Sequence, residues 1–348
     1  MKRYSFKNDY SSLAHKDILK ALEDASGEQF EGYGLDSHSL HAAELLKGII
    51  GRDADVHFVS GGTQANLLVI SAALRPHEGV IACSGGHIST HEAGAIEATG
   101  HKVCTADGTD GKLTPEDIIR IKAEHTDEHM IKPGLVYISQ STEAGTVYKH
   151  RELQDLHDCC SNENLLLYMD GARLASAVNS RNSDLTYTTT AELVDAFCFG
   201  GTKNGLLFGE AVVICNESLK KDFRYILKQR GAMLAKGATQ GIQFEALLTD
   251  NLYDRNAIHA NSMAYRLADG IRLLGYEFCY EAETNQIFPV IPKEIIGKLY
   301  EEYDFHEWKD YGDSMAIRLV TSFNTPETAV DGFLSRLDLW SKQLPKHR

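Results

Sequence analysis

The chain has 348 residues, of which 43% are hydrophobic and 24% charged, a composition that excludes disordered, collagenous and disulfide-scaffold classes. The length allows one large domain with a smaller one. Forty-nine acidic against 35 basic side chains leave a formal charge of −14, which opposes general attraction to nucleic-acid phosphates or anionic lipid. Neither a nucleic-acid nor a membrane partner is expected. Met1-Lys2-Arg3-Tyr4-Ser5-Phe6 leads into Lys7, Asn8 and Asp9 without an apolar signal core, and nowhere do 18 apolar residues run together, so a cytoplasmic protein is expected. Seven cysteines without a Cys-x-x-Cys pair argue against a disulfide framework and a thiolate zinc site. Most should be buried, reduced thiols.

In chain order, two helical patterns come first, around Leu13 to Leu22 and Ala42 to Ile50, on either side of Gly32-Tyr33-Gly34, which reads as an arm. From Val56 to Cys215, short apolar runs alternate with helical patterns. The runs are Val56 to Val59, Val80 to Cys83, Leu135 to Ile138, Leu165 to Met169, Ala196 to Phe199 and Ala211 to Ile214. Nearly continuous apolar strands separated by helices predict a mostly parallel sheet buried on both faces, in an α/β domain. Thr114-Pro115-Glu116-Asp117 supplies a cap, a proline at the first helical position and acidic residues in the first turn, so a helix is predicted from there towards Glu124. Beyond Ser218 long amphipathic helices take over, followed by isolated strands at Gln286 to Val290 and Met315 to Val320 and a final helix after Pro326. This reads as a smaller C-terminal α+β domain. The expected division is an N-terminal arm and helix over 1–30, a large domain over 31–250 and a small domain over 251–348.

Three fragments carry chemistry. In Phe58-Val59-Ser60-Gly61-Gly62-Thr63-Gln64 a strand ends in two glycines and a threonine and a helix begins, so free backbone N–H groups and the positive helix end form a phosphate cradle. The competing reading is a tight turn with a threonine cap. Neither a P-loop nor a Gly-x-Gly-x-x-Gly pattern is present. Asp170 follows the five apolar residues Leu165 to Met169, at the carboxyl end of a strand where open α/β sheets place ligands; it could equally cap the next helix or pair with Arg173. Lys203 sits in Gly200-Gly201-Thr202-Lys203-Asn204-Gly205, at the mouth of another apolar strand. A desolvated lysine there lowers its pKa and can form a Schiff base with an aldehyde. Together the three meet the requirements of pyridoxal 5'-phosphate: a phosphate turn, a carboxylate for the ring nitrogen and a Schiff-base lysine. A non-catalytic phosphate-ligand binding module, with Lys203 structural, is the alternative from another class. It leaves unexplained why Asp170 and Lys203 both end buried strands.

The order and spacing of these fragments resemble the threonine aldolase and β-eliminating lyase family of fold-type I pyridoxal-phosphate enzymes. The resemblance runs through Phe6 to Tyr10, Gly32 to Asp36, Ser60 to Thr63, His87 to Gly94, Asp170 to Arg173, Lys203 and Ile317 to Thr321. It implies a large domain with a mostly parallel central sheet and a smaller C-terminal domain. It also implies roles: Lys203 carries the cofactor, Asp170 keeps the ring nitrogen protonated, and Gly61, Gly62 and Thr63 hold the phosphate. Arg173 lies near the phenolic oxygen, His87 stacks on the ring, and Arg318 clamps the substrate carboxylate with Asn8 beside it. Tyr33, Arg230 and Lys236 reach the site of a neighbouring subunit, so a homo-oligomer with shared sites, a dimer or tetramer, is implied.

Two departures from the family pattern stand out. Leu234 occupies the place of an expected arginine near Arg230 and Lys236. In Gln140-Ser141-Thr142-Glu143, Glu143 replaces a histidine often considered for handling the substrate hydroxyl, which leaves His87, His91, Glu143 or an ordered water as the candidate base. His87 and His91, spaced i, i+4 before Glu92, have a metal alternative, but the His-Glu-x-x-His signature is absent, and no metal is expected. His38 and His41 read as solvated or substrate-side. The expected reaction is retro-aldol cleavage of a β-hydroxy-α-amino acid, threonine or allo-threonine, to glycine and an aldehyde. The alternative is β-elimination from a β-substituted amino acid.

Overall fold

The computed structural model describes residues 3–343. Seven strands form the central sheet in the spatial order Asp55–Val59, Glu210–Ile214, Ala196–Gly200, Leu166–Asp170, Lys132–Ser139, Glu78–Cys83, Val103–Ala106. The neighbouring pairs are parallel except those made by Glu210–Ile214, which is antiparallel to both its neighbours. The reason is local. Only residues 201–209 separate Ala196–Gly200 from Glu210–Ile214, too few for the helical crossover that a parallel return requires. Both strands are wholly buried, as apolar runs covered on both faces must be. The helix Pro115–Glu124 starts as its sequence predicts, with a reciprocal capping box between Thr114 and Asp117. The edge strand Val103–Ala106, unmarked by any long apolar run, was not anticipated.

A second, smaller sheet contains Val290–Pro292, Ser314–Val320 and His306–Asp310, with Gln286–Ile287 pairing the end of Ser314–Val320. The helix Leu252–Leu273 joins the two cores. Leu252, Tyr253 and Ala257 pack into the large core, while Met263, Leu267 and Ile271 belong to the core of the small sheet. Phe6 lies in that second core as well, and Tyr4–Ser5 pairs in parallel with Tyr303–Asp304. The first residues of the chain are thus sewn to its last third, and they run across the cleft between the sheets. All seven cysteines are free thiols, and all but Cys279 are buried. Among the described residues no helix is long and apolar enough to cross a membrane.

Candidate active site

The carboxyl ends of the central strands open onto one cleft. Behind Asp55–Val59 the chain turns into the helix Gly62–Ala73, whose N-cap Gly61 offers no side chain to its N–H groups. A Cβ built at Gly61 or Gly62 would meet no atom within 4 Å. Packing within the chain therefore does not demand these glycines; they leave space for an outside group to approach the backbone.

Asp170 ends its strand buried, and its carboxylate accepts three hydrogen bonds. Oδ2 takes one from Asn66 Nδ2 at 3.0 Å and one from the Tyr137 hydroxyl at 2.8 Å, and Oδ1 takes one from the Ala172 N–H at 3.0 Å. Asn66 is itself buried on the first turns of the helix Gly62–Ala73. It also donates to Glu92 Oε1 at 2.7 Å and accepts from the Tyr168 hydroxyl at 2.9 Å. Glu92 Oε1 in turn faces His87 Nδ1 at 2.8 Å, which fixes the imidazole's orientation. A buried carboxylate so fully supplied with donors is held as an acceptor at low cost.

Lys203 rises from the short turn Thr202–Asn204. Asn204 Nδ2 donates to the Tyr253 carbonyl at 2.7 Å, and Asn256 Nδ2 donates to the Asn204 carbonyl at 2.8 Å, so the turn is pinned to the long helix. The following Gly205 has φ of 110°, and a Cβ there would come within 2.6 Å of Asn256; only glycine fits. Burial first, and then the neighbouring Arg173 guanidinium, hold the Lys203 amine below its usual range, against the pull of Asp9, Asp170 and Glu210. Glu210 pairs across both Gly200 and Val59, between the lysine turn and the glycine turn. It accepts from the Gly201 N–H at 2.9 Å, and burial pushes its carboxyl up to about 7.

A cavity of about 520 Å³ gathers Gly62, His87, Glu143, Asp170, Arg173, Lys203 and Arg318. These are residues named from the sequence, and the fold brings them together from strands, turns and the small sheet. Gly61 and Thr63 flank Gly62. Asn8 is beside the cavity, its Oδ1 accepting from the Tyr10 N–H and the Ser11 hydroxyl. Arg318 Nη2 donates to the Lys7 carbonyl at 3.2 Å, while its buried Nε has no partner among the described residues. Tyr33, Arg230 and Lys236 are not at this cavity. Tyr33 is exposed, with Lys228 over its ring at 4.7 Å, its N–H donating to Ala235, and Arg224 donating to its carbonyl. Arg230 and Lys236 are exposed nearby. His38 and His41 are also elsewhere, both facing the carboxylate of Glu245.

Sequence reasoning missed several residues of the cavity and its walls: Tyr10, Ser139, Ser141, Gln286, His306 and Trp308 line it, and Asn66, Glu92, Glu210 and Asp9 support it. Asn66 had a signal, a polar residue on a helix face otherwise made of Ala65, Leu68 and Val69. Trp308 had none, because it reaches the cavity from an exposed strand whose register shifts between Glu307 and Lys309, a bulge that re-aims a side chain.

Comparison with known proteins settles the family. The profile of the beta-eliminating lyases matches residues 14–293. The chain belongs to the beta-eliminating lyase family. Within it, the low specificity L-threonine aldolase of Pseudomonas sp. (strain NCIMB 10558) is 32% identical over 330 residues, covering 93% of this chain and 94% of that protein. The enzyme of the same name from Pseudomonas aeruginosa is 33% identical, covering 84% of this chain and 86% of its own. The solved structure of Leishmania major threonine aldolase superimposes with a TM-score of 0.96 at 46% identity, covering 97% of this chain and 99% of that one. A Thermus thermophilus aspartate aminotransferase shares the fold alone, at a TM-score of 0.70 and 14% identity over 97% of this chain and 91% of its own. The architecture of this family member is thus that of fold-type I.

Against that family background Glu143 is a further feature of the site. Its Oε1 accepts from the Ser139 hydroxyl at 2.7 Å and from the His87 N–H at 2.9 Å. Burial pushes its carboxyl up, with the charge of Asp170 adding to the effect, against the pull of these donors.

Proposed function

We propose that this chain is a lyase that uses pyridoxal 5'-phosphate to cleave threonine or allo-threonine to glycine and an aldehyde. The observation that carries this reading is the convergence on one cavity of the Lys203 amine, the Asp170 carboxylate and the open glycine turn. The high identity to proteins named threonine aldolase supports it. The donor set fits the cofactor. Gly61, Gly62 and Thr63 would hold its phosphate at the positive end of the helix, Asp170 its ring nitrogen, Arg173 its phenolic oxygen and Lys203 its carbonyl carbon. His87, fixed by Glu92, would cover one face of the ring. When bound, the cofactor supplies an electron sink for the pair released at the α-carbon.

The chain's own residues do the rest. Arg318, whose Nε has no partner among the described residues, offers paired donors to the substrate carboxylate, and Asn8 adds its amide N–H₂. Lys203, with its pKa lowered, exchanges a proton more readily than an exposed lysine. Glu143 and His91 stand in the cavity as groups able to accept the β-hydroxyl proton. The family's own description favours a second reading, β-elimination, in which the Cα–H bond breaks first. A product assay over β-hydroxy and β-substituted amino acids, including both threonine diastereomers, separates the two. Glycine with an aldehyde is expected; a keto acid with ammonia establishes the alternative.

Tyr33, Arg230 and Lys236 form part of one exposed surface with Arg224 and Lys228. A dianionic phosphate needs more positive charge than a glycine turn supplies, and closed dimers are the commonest assembly of soluble enzymes. We assign this surface to a homo-oligomer, a dimer or tetramer, in which it completes the phosphate end of a neighbouring site. The free, mostly buried thiols agree with a reducing cytoplasmic setting.

A further inference from the structure

Two hydrogen-bonded paths join His87 to Asp170. One passes from the imidazole through Glu92 and Asn66. The other starts at the His87 N–H, passes to Glu143 Oε1, then to Ser139 Oγ 2.7 Å away, then to the Tyr137 hydroxyl at 3.3 Å, and ends where Tyr137 donates to Asp170 at 2.8 Å. The second path is short of one hydrogen. The Ser139 hydroxyl carries a single proton and lies beside two acceptors, Glu143 Oε1 and Tyr137 Oη, while the proton of Tyr137 is committed to Asp170. The charge on Glu143 decides where the Ser139 proton points. A carboxylate is the stronger acceptor and takes it. Once Glu143 is protonated on Oε2, its Oε1 is a neutral carbonyl oxygen and a weaker acceptor than the carboxylate, so the Ser139 proton is shared more with Tyr137. Tyr137, now accepting a bond, becomes a better donor to Asp170, because hydrogen bonds in a chain polarise one another.

Resting on the lyase reading above, we propose that Ser139 and Tyr137 form a hydroxyl relay coupling Asp170 to Glu143, the group that takes the substrate's β-hydroxyl proton. In that step the O–H bond breaks and its proton passes to Glu143 Oε2, the oxygen held by neither Ser139 nor His87. The β-oxygen keeps the electron pair and becomes the carbonyl of the departing aldehyde. The Cα–Cβ pair remains with the α-carbon, which takes up one proton and leaves as glycine; that proton is balanced by the one Glu143 then releases, which returns it to the carboxylate. The relay makes Asp170 the better-supported anion while Glu143 holds the substrate's proton. Ser139 and Tyr137 are thus positioning residues. The titratable and charged groups around Glu143 include Tyr137 on the preceding strand, Asp170 and Arg173 at the adjacent one, Cys83, His87 and Tyr148, with His91, Lys203 and Arg318 lining the same cavity.

Infrared difference titration of the cofactor-loaded, full-length protein reads the carboxyl directly, with the Glu143 band assigned by its loss in Glu143→Gln. Ser139→Ala removes a donor that favours the charged form, so Glu143 should protonate about half to one pH unit higher. Tyr137→Phe removes the competing acceptor and leaves Ser139 with Glu143 alone. Glu143 should then protonate about half a pH unit lower, although Tyr137 makes no hydrogen bond to it. In the Ser139→Ala background, Tyr137→Phe should move the titration no further. The acid limb of kcat/KM for threonine cleavage should follow both shifts. Packing damage does not produce shifts of opposite sign of which the Tyr137→Phe one disappears once Ser139 is gone, leaving the double variant at the Ser139→Ala value. A Glu143 titration unmoved by Tyr137→Phe, or moved equally with and without Ser139, overturns the relay. The infrared pattern without glycine release upholds the relay and overturns the aldol-cleavage reading.

Discussion

Arg173 grips Asp9 through two parallel hydrogen bonds, Nε to Oδ2 at 2.7 Å and Nη2 to Oδ1 at 3.0 Å. Asn285 Nδ2 adds a third to Asp9 Oδ2 at 2.9 Å. The pair sits between the cavity and the first residues of the chain, so the start of the chain sets the orientation of an active-site guanidinium. Planar, bidentate geometry of this kind fixes both groups more firmly than a point contact.

Asp9→Ala should therefore be costly. It leaves Arg173 charged and unpaired in a buried site, an effect of about 3–5 kcal/mol, readable as a lower denaturant midpoint. The pH dependence has a definite sign. Burial opposes the charge on Asp9, but Arg173 and Lys203 outweigh it and hold the carboxyl below its ordinary 3.8. The stabilisation is present above that value and disappears as pH falls below it. The gap between wild type and variant should be constant at neutral pH and close on strong acidification; a gap that persists unchanged to the acid extreme contradicts the assignment.

Glu210 should behave in the opposite sense. Its carboxyl is pushed from 4.5 up to about 7, so the folded state favours the protonated form. That contribution is complete below 4.5 and lost as pH rises through about 7. Glu210→Gln should be more stable than wild type at pH 8, by on the order of 3 kcal/mol at most, with no gain below pH 4.5. Unfolding curves of the cofactor-free protein at the two pH values test this, and an equal difference at both would remove Glu210's titration from the account.

Lys203→Ala should abolish turnover and the borohydride-stable cofactor adduct while preserving the fold, since the side chain contributes chemistry more than packing. Mass spectrometry after reduction should place the adduct on Lys203; an adduct on Lys228 or Lys236 would overturn the role assigned to Lys203. Asp170→Asn should keep the adduct and lose about a hundredfold or more in kcat. Full activity in that variant would remove Asp170 from the mechanism.

Subunit mixing tests the shared site. Inactive Lys203→Ala protein combined with inactive Tyr33→Ala protein should regain some activity, because exchange rebuilds sites that hold both residues. If mixed oligomers form without any return of activity, Tyr33 does not act across the interface. A fully active monomer in sedimentation would reject shared sites.

The central strands, the capped helix at Thr114, the glycine turn at Gly61, Asp170 after its apolar run and Lys203 among small residues were legible along the chain. Each of these follows from periodicity or from immediate neighbours, which is information the chain carries over a few residues. What holds those groups came instead from the meeting of distant segments. Asn66 meets Glu92 and Asp170 across 26 and 104 positions, and Asp9 meets Arg173 and Asn285 across 164 and 276. Glu210 stands just before the apolar run Ala211 to Ile214 and had no sequence signal; its antiparallel strand sets it opposite Val59 and Gly200, beside the lysine turn. Tyr33, Arg230 and Lys236, placed at the site by resemblance, lie on a separate surface of the single chain. The physical reason is common to all of them: a buried polar group is tolerated only with partners at hydrogen-bond distance, and which distant segments supply them is fixed by packing, not by the residues alongside.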